Sequence, residues 1–232
     1  MKPSTFFGLL LLLLVSQVKA QNPQRDLLLL DTIPYIMEHH NNRLAQFASE
    51  PMAKGGFIFM GNSITEGGPW QELVGDHAIN RGIGGDISFG ILKRLDEIVK
   101  RRPEKLFLMI GTNDMSKDIP ETLVANNVKK AIARVQSESP NTQIYLQSIL
   151  PLNPRVKGFL QGFEKQDQVL ICNQLLHKVA EETGVTFINL FPYFLNQDML
   201  LDESLTYDGV HLNRKGYELW ANYLKSKGHL SR

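Results

Sequence analysis

The amino-acid sequence predicts a three-layer α/β/α sandwich with a central parallel five-stranded sheet. Two observations support this prediction: five short apolar runs bounded by turn residues, and helix-like segments that alternate with them. Regular alternation of strands and helices is typical of a parallel sheet covered by helices on both faces. The predicted arrangement is near that of flavodoxin-like proteins.

The apolar runs are interpreted as strands because each is too short for a buried helix and ends at polar or glycine residues. In chain order, the strands are predicted at residues 57–61, 78–80, 105–111, 142–149 and 185–190.

The helix-like segments have apolar residues that recur on one face. Pro120 at the start of one segment and Gly184 at the end of another are typical helix boundaries. The four segments are predicted at residues 88–101, 120–137, 164–183 and 213–227.

The N-terminal residues 1–20 have the pattern of a secretory signal peptide. Lys2 precedes an apolar core at Leu9–Val15, and Val-Lys-Ala at residues 18–20 resembles a cleavage site. We therefore expect an exported protein, periplasmic or secreted. Residues 21–54 are expected to form an N-terminal helical extension, in which Leu27–Leu30 is a packing surface, and residues 55–232 to form one domain.

Charge and cysteine content exclude several classes of protein. The chain has a net charge of +1, which becomes −1 when Lys2 and Lys19 are removed with the leader. We therefore expect no nucleic-acid partner and no stable membrane anchor. Cys172 is the only cysteine, so a disulfide within the chain is impossible. Composition leaves the oligomeric state open.

Ser63 directly follows the first predicted strand, within the sequence FIFMGNSITEGGPW. Ligands bind at the carboxyl ends of strands in such sheets, so this hydroxyl is a candidate nucleophile. An equally weighted alternative is that Ser63 caps the next helix, with Glu66 completing a capping box.

Asp208 and His211 lie three residues apart, just before the last predicted helix. This spacing allows the carboxylate to bind the imidazole Nδ1–H and leave Nε2 free to accept a proton. Considered alone, the pair is better explained by a loop in which Asp208 caps backbone amides and His211 lies on the surface.

Two further loops offer hydrogen-bond donors for an oxyanion. NRGIGGDIS could present the Gly85 backbone N–H, and IGTNDM could present the Asn113 side-chain amide. The glycine loop does not have dinucleotide-binding spacing, because Ile87 occupies the position of the third glycine. Considered alone, its glycines indicate a tight turn.

In combination, GNSIT, NRGIGGD, GTND and DGVH resemble the four blocks of the SGNH hydrolases, also called GDSL-type esterases. GIGGD and GTND are most similar to the platelet-activating-factor acetylhydrolase-like branch. The resemblance extends over about residues 55–227 and identifies 55–232 as an SGNH hydrolase domain. One position departs from the pattern: Asn62 stands where the family usually has aspartate, which leaves the subfamily open.

The resemblance implies a specific role for each site residue. Ser63 is the nucleophile, His211 the base and Asp208 its orienting acid. The oxyanion hole consists of the Ser63 and Gly85 backbone amides and the Asn113 side chain. The implied enzyme is a carboxylic ester hydrolase that requires no cofactor or metal.

Other polar residues near these motifs are interpreted as structural. Glu38, His39 and His40 are adjacent on a helix, a spacing that does not suit metal ligands, and are predicted to form a solvated face. Asp86 and Asp114 flank the donor loops and are predicted to bind nearby backbone groups.

The substrate is predicted to be a small acyl ester, with carbohydrate O-deacetylation preferred because no acyl-chain surface or membrane-binding helix is evident outside the leader. A lysophospholipase or platelet-activating-factor acetylhydrolase-like lipid esterase is the second hypothesis. A non-catalytic carbohydrate-binding protein is the third. Residues 151–166 either form a lid or pack onto the core, and Trp70 either stacks on a sugar or belongs to the core.

Overall fold

The computed structural model describes residues 34–52 and 54–231. Its centre is a parallel sheet with the strand order β2-β1-β3-β4-β5, which confirms the predicted fold class. The strands are β1 (Phe57–Gly61), β2 (Ala78–Gly82), β3 (Lys105–Met109), β4 (Gln143–Gln147) and β5 (Thr186–Ile188).

Within the described residues, nine α-helices and two 3₁₀ helices surround the sheet. The α-helices are α1 (Pro34–Ser49), α2 (Ser63–Glu66), α3 (Trp70–Val74), α4 (Ser88–Lys93), α5 (Leu95–Arg101), α6 (Thr112–Ser116), α7 (Glu121–Glu138), α8 (Gln166–Thr183) and α9 (Arg214–Ser226). The 3₁₀ helices are Phe191–Phe194 and Glu203–Leu205.

Both faces of the sheet are buried, as a parallel sheet requires. In β1, Ile58 and Met60 pack into a core with α4, α5, α7 and α8. Phe57 and Phe59 point the other way, into a core formed with Trp70 and Trp220. The alternation follows from the two-residue period of a strand, and it gives the three layers.

The single helix predicted over residues 88–101 is interrupted at Arg94, which separates α4 from α5. The interruption has a local cause. The Arg94 guanidinium is buried and donates hydrogen bonds to the Arg81 and Gly61 backbone oxygens and to Asp86. These contacts join the ends of β1 and β2 to the loop that follows β2.

The helix α1 lies within the extension predicted over residues 21–54. The predicted signal peptide and the Leu27–Leu30 run lie outside the described residues. Of the helices that the structure describes, none combines the length and apolar character needed to cross a bilayer.

Candidate active site

Ser63 is the first residue of α2 and follows β1 after a single residue. Asn62 caps this helix, because its Oδ1 atom accepts the Ile64 N–H at 3.0 Å. The capping-box alternative for Ser63 is therefore wrong. Asn62 performs the capping role, and the Ser63 hydroxyl is directed elsewhere. An amide side chain is sufficient for this cap.

The Ser63 Oγ atom lies 2.9 Å from His211 Nε2, although the two residues are 148 positions apart in the chain. This distance is within the range of a hydrogen bond. A serine hydroxyl and an imidazole in this geometry can transfer a proton between them.

Asp208 binds both the ring and the backbone of His211. Its Oδ2 atom lies 2.7 Å from His211 Nδ1, while Oδ1 accepts the N–H groups of Val210 and His211. Partial burial opposes ionisation, but these hydrogen bonds outweigh it and hold the Asp208 pKa below its usual range. Both sequence interpretations of Asp208 therefore apply, since the same carboxylate caps backbone amides and contacts the imidazole.

The loop carrying Asp208 and His211 is held by a short antiparallel pairing of Thr206 with Leu212. Within it, Thr206 Oγ1 donates to the His211 oxygen and accepts the Gly209 N–H. Gly209 has a φ of 83°, and a Cβ there would lie 2.1 Å from the Asn153 backbone oxygen. The turn and the close approach of residues 151–166 both require glycine.

Three N–H donors come from the loops after the neighbouring strands β1, β2 and β3. Among the described residues, the Ser63 and Gly85 backbone N–H groups donate to no other group. Asn113 Nδ2 donates one hydrogen to the Asp86 backbone oxygen at 2.9 Å and has a second available. The three donors lie after the carboxyl ends of adjacent strands, at the edge of the sheet where ligands bind in such folds.

Asp86 and Asp114 are fully buried and bind nearby groups. Asp86 accepts the Ile87 N–H, as predicted, and also pairs with Arg94 at 2.9 Å. Asp114 accepts the Ser88 N–H with both oxygens, at 3.0 and 3.1 Å. Burial raises the pKa of Asp114 to about 7.

The structure also corrects the predicted solvated face of α1. Glu38 is exposed, but His39 and His40 are partly buried. His39 Nε2 lies 3.0 Å from Glu66 Oε2, and His40 Nε2 lies 3.8 Å from Asp86 Oδ1. The prediction failed because α1 packs against the loop after β2, a contact that helical periodicity does not reveal.

The alternatives for the remaining aromatic residues are also decided. Trp70 is a core residue, 1% exposed and stacked on Phe59 with 4.0 Å between ring centroids. Phe159 and Phe163 pack against the core as well. Across the chain's described part, no three histidine, cysteine, aspartate or glutamate side chains converge as metal ligands would.

Sequence reasoning missed Tyr207, which immediately precedes Asp208. Its side chain is 63% exposed, and its ring lies nearly parallel to the His211 imidazole, at 9° with 5.7 Å between centroids. An exposed aromatic residue gives no periodic signal. Its position next to Asp208 was the one indication in the sequence.

A groove of about 860 Å³ runs along the edge strand β2. Its lining includes Arg43, Glu50, Asp76 and Arg81, but none of the five candidate site residues. The groove is therefore separate from the five candidate site residues.

Comparison with known proteins gives the same family as the motifs. The model of the GDSL-like Lipase/Acylhydrolase family matches residues 59–219. Platelet-activating factor acetylhydrolase IB subunit alpha1 of Rattus norvegicus is 29% identical over 168 residues, which cover 69% of each chain. The Homo sapiens protein of the same name is 28% identical over the same length, with the same coverage.

Solved structures of other proteins share this fold. A Streptococcus pneumonia protein described as a platelet activating factor superposes with a TM-score of 0.77, at 29% identity and over 89% of this chain and 99% of its own. A GDSL-like lipase of Bacteroides thetaiotaomicron gives a TM-score of 0.70 at 20% identity, over 83% and 98% of the two chains. An acetyl xylan esterase gives 0.63 at 22% identity, over 74% and 98%.

The low-identity structures establish the fold alone, whereas the family match covers most of the described chain. The resemblance inferred from the four sequence blocks is confirmed. The chain belongs to the GDSL-like lipase/acylhydrolase family and is a carboxylic ester hydrolase.

Proposed function

We propose that this protein is a serine esterase in which Ser63, His211 and Asp208 form a catalytic triad. The observation that carries the proposal is the continuous contact from Ser63 Oγ through the imidazole to the Asp208 carboxylate, at 2.9 and 2.7 Å. The ionised Asp208 accepts the Nδ1–H proton, so Nε2 is the atom that accepts the serine proton.

The reaction begins when Ser63 Oγ attacks the ester carbonyl carbon and its proton passes to His211 Nε2. The carbonyl oxygen becomes an oxyanion, which the Ser63 N–H, the Gly85 N–H and the Asn113 amide stabilise. The imidazolium then donates its proton to the leaving alkoxide oxygen, the ester C–O bond breaks, and an acyl-serine remains. Water repeats the sequence and releases the acid.

The acyl group is proposed to be acetyl and the alcohol a carbohydrate. The curated relatives support acetyl, since they are named acetylhydrolases. Tyr207 supports the carbohydrate: it presents an exposed, flat aromatic face beside His211, on which the C–H face of a sugar ring can pack.

A lipid ester is the second candidate. The relatives named platelet-activating factor acetylhydrolase favour it, at 27% to 29% identity. Leu160, which is exposed in the loop beside Gly209, offers an apolar side chain for such a substrate. Both candidates use the same acyl chemistry and differ in the alcohol.

Hydrolysis rates on two series of substrates test the proposal. We expect kcat/KM to fall from p-nitrophenyl acetate to butyrate and longer esters, and acetylated xylooligosaccharides to be deacetylated. Tyr207→Ala should raise KM for the oligosaccharide with little change for p-nitrophenyl acetate. Preference for acetylated phospholipid would favour the lipid esterase, and absence of hydrolysis with absence of fluorophosphonate labelling would favour the non-catalytic carbohydrate-binding protein.

Export remains part of the proposal. Residues 1–20 are proposed to be a signal peptide, residues 21–54 an N-terminal extension and residues 55–232 the hydrolase domain, with a periplasmic or secreted location. The cleavage pattern at residues 18–20 supports this.

A further inference from the structure

We infer that the N-terminal helix α1 is a positioning element for the oxyanion hole and that it acts through Glu66. The family match begins at residue 59, so α1 lies outside the region that defines the family. The inference rests on the proposed function, because it assigns a role to a helix that supports the proposed Gly85 donor.

Glu66 joins three parts of the site. It is the last residue of α2, the helix that begins at Ser63. Its Oε2 atom accepts the Gly84 N–H, and the same atom lies 3.0 Å from His39 Nε2. Its Oε1 atom lies 3.3 Å from Arg43 Nε. One carboxylate thus connects the nucleophile helix, the donor loop and α1.

Arg43 makes a second connection to the donor loop. Its Nε and Nη2 atoms donate to the Gly82 oxygen at 3.3 and 3.0 Å. The approach of α2 to this loop is close, because a Cβ on Gly82 would lie 2.1 Å from the Glu66 nitrogen. Glu66 therefore reaches Gly84 from a fixed position.

The contact matters because Gly84 and Gly85 are the central residues of a turn. The Ile83 oxygen accepts the Asp86 N–H at 3.1 Å, and Gly85 has a φ of 78°. A positive φ at the third position is typical of a type II turn, and rotation of the central peptide would convert it to type I. That rotation would turn the Gly85 N–H away from its present direction.

Two adjacent glycines have little intrinsic resistance to such a rotation. An oxyanion donor is effective only when its direction is fixed before the reaction. Glu66 binds the Gly84 N–H and so fixes the peptide that enters this turn against the helix that begins at Ser63, which limits displacement of the turn as a whole. The Arg43 charge on α1 keeps the Glu66 side chain in place.

A purely structural role for α1 is the competing explanation. Phe47 on α1 is buried, with the Arg43 and Arg81 guanidinium groups 4.7 and 4.4 Å from its ring centroid. The contact of Arg81 with Phe47 holds the helix independently of Glu66. A structural role therefore predicts lower stability in Glu66 variants but no selective loss of transition-state stabilisation.

The kinetic test uses Glu66→Ala, which removes the acceptor of the Gly84 N–H, and Glu66→Gln, which keeps an oxygen there. With p-nitrophenyl acetate as substrate, we expect Glu66→Ala to lower kcat by about 10- to 100-fold and to change KM by less than about twofold. This loss of rate is smaller than that expected when an oxyanion donor is removed altogether. Affinity for a trifluoromethyl ketone, whose adduct places an oxyanion in the hole, should fall by a similar factor. Glu66→Gln should recover most of the rate.

A matched pair on α1 isolates the contribution of the helix. Arg43→Ala should lower kcat, as Glu66→Ala does. Asn42→Ala, which changes the exposed neighbouring residue, should leave kcat unchanged. Equal rates for these two variants, or a Glu66→Ala variant with unchanged kcat and unchanged ketone affinity, would overturn the inference.

Amide hydrogen exchange gives a readout that does not depend on activity. We expect the Gly84 amide to exchange slowly in the native protein and much faster in Glu66→Ala, with the Gly85 amide resonance shifted. Unchanged exchange would overturn the inference even if the wild-type protein hydrolysed no ester. An inactive wild-type protein with the expected exchange change would contradict the proposed function but leave the turn constraint intact.

Discussion

Asp208 contacts His211 twice: Oδ2 lies 2.7 Å from the ring Nδ1, and Oδ1 accepts the backbone N–H, also at 2.7 Å. The carboxylate therefore fixes both the position of the residue and the direction of its ring. A helix or turn cap alone would need the backbone contact and would leave the ring free. Because the two contacts differ, replacing Asp208 by asparagine can separate the role of the ring contact from that of the backbone contact.

The substitution Asp208→Asn should lower kcat roughly 10⁴-fold, as comparable replacements do elsewhere, because the amide NH₂ stabilises the wrong imidazole tautomer. The asparagine oxygen can still accept the backbone N–H groups, so stability should change little. The matched control is Asp202→Asn, since Asp202 caps the Ser204 N–H in the same loop region. Similar rates for both variants would exclude Asp208 as the orienting acid.

Asn113→Ala should reduce kcat by about 10²- to 10³-fold with a small change in KM, because one oxyanion donor is lost. Asn127→Ala is a useful control, since Asn127 is also a buried asparagine and donates to Ser88 Oγ. It should lower stability without a comparable loss of rate. An Asn113→Ala effect confined to KM would indicate ground-state substrate binding.

The buried Asp114 predicts a pH dependence of stability. Burial raises its pKa to about 7 in the folded protein, against about 3.9 in the unfolded chain. Between these values the unfolded chain releases the proton first, so stability falls as the pH rises, by up to about 4 kcal/mol. Asp114→Asn stays neutral and should become more stable relative to wild type between pH 4 and 8. Urea unfolding of the wild type and the variant at pH 4 and pH 8 measures the difference between their free energies of unfolding. The same difference at both pH values would contradict the raised pKa of Asp114.

Export is tested by the N-terminus of the mature protein. If residues 1–20 are a signal peptide, the exported protein should begin at Gln21, as intact mass or N-terminal sequencing would reveal. Protein that retains Met1 and fractionates with membranes would show that the leader acts as an anchor.

Much of the fold could be predicted from sequence because its strands are short apolar runs separated by periodic helices. The strands β3 and β4 end two residues earlier than predicted. Apolar composition continues into the loops there: Ile110 and Ile149 are still buried, although the chain has left the sheet. Residues just beyond the strand ends are apolar because they are buried, although their backbone no longer pairs with a neighbouring strand.

Candidate site residues could be proposed from the sequence where the chemistry imposes residue types, as at Ser63, Asn113 and His211. Contacts that depend on the packing of distant elements were not predictable. Arg94 is the clearest example. Its position between Ile91 and Ile98 on one face of the predicted helix indicates burial, but not the groups that it binds. The backbone oxygens that accept its hydrogen bonds lie near the ends of β1 and β2.

Covalent labelling of Ser63 tests the central claim most directly. A fluorophosphonate should modify one residue, and peptide mass spectrometry should locate it at Ser63. Ser63→Ala should abolish labelling and lower kcat by roughly 10⁴- to 10⁶-fold, while circular dichroism shows an intact fold. Labelling at another residue, or a Ser63→Ala variant that keeps most of its esterase activity, would contradict the assignment of Ser63 as the nucleophile.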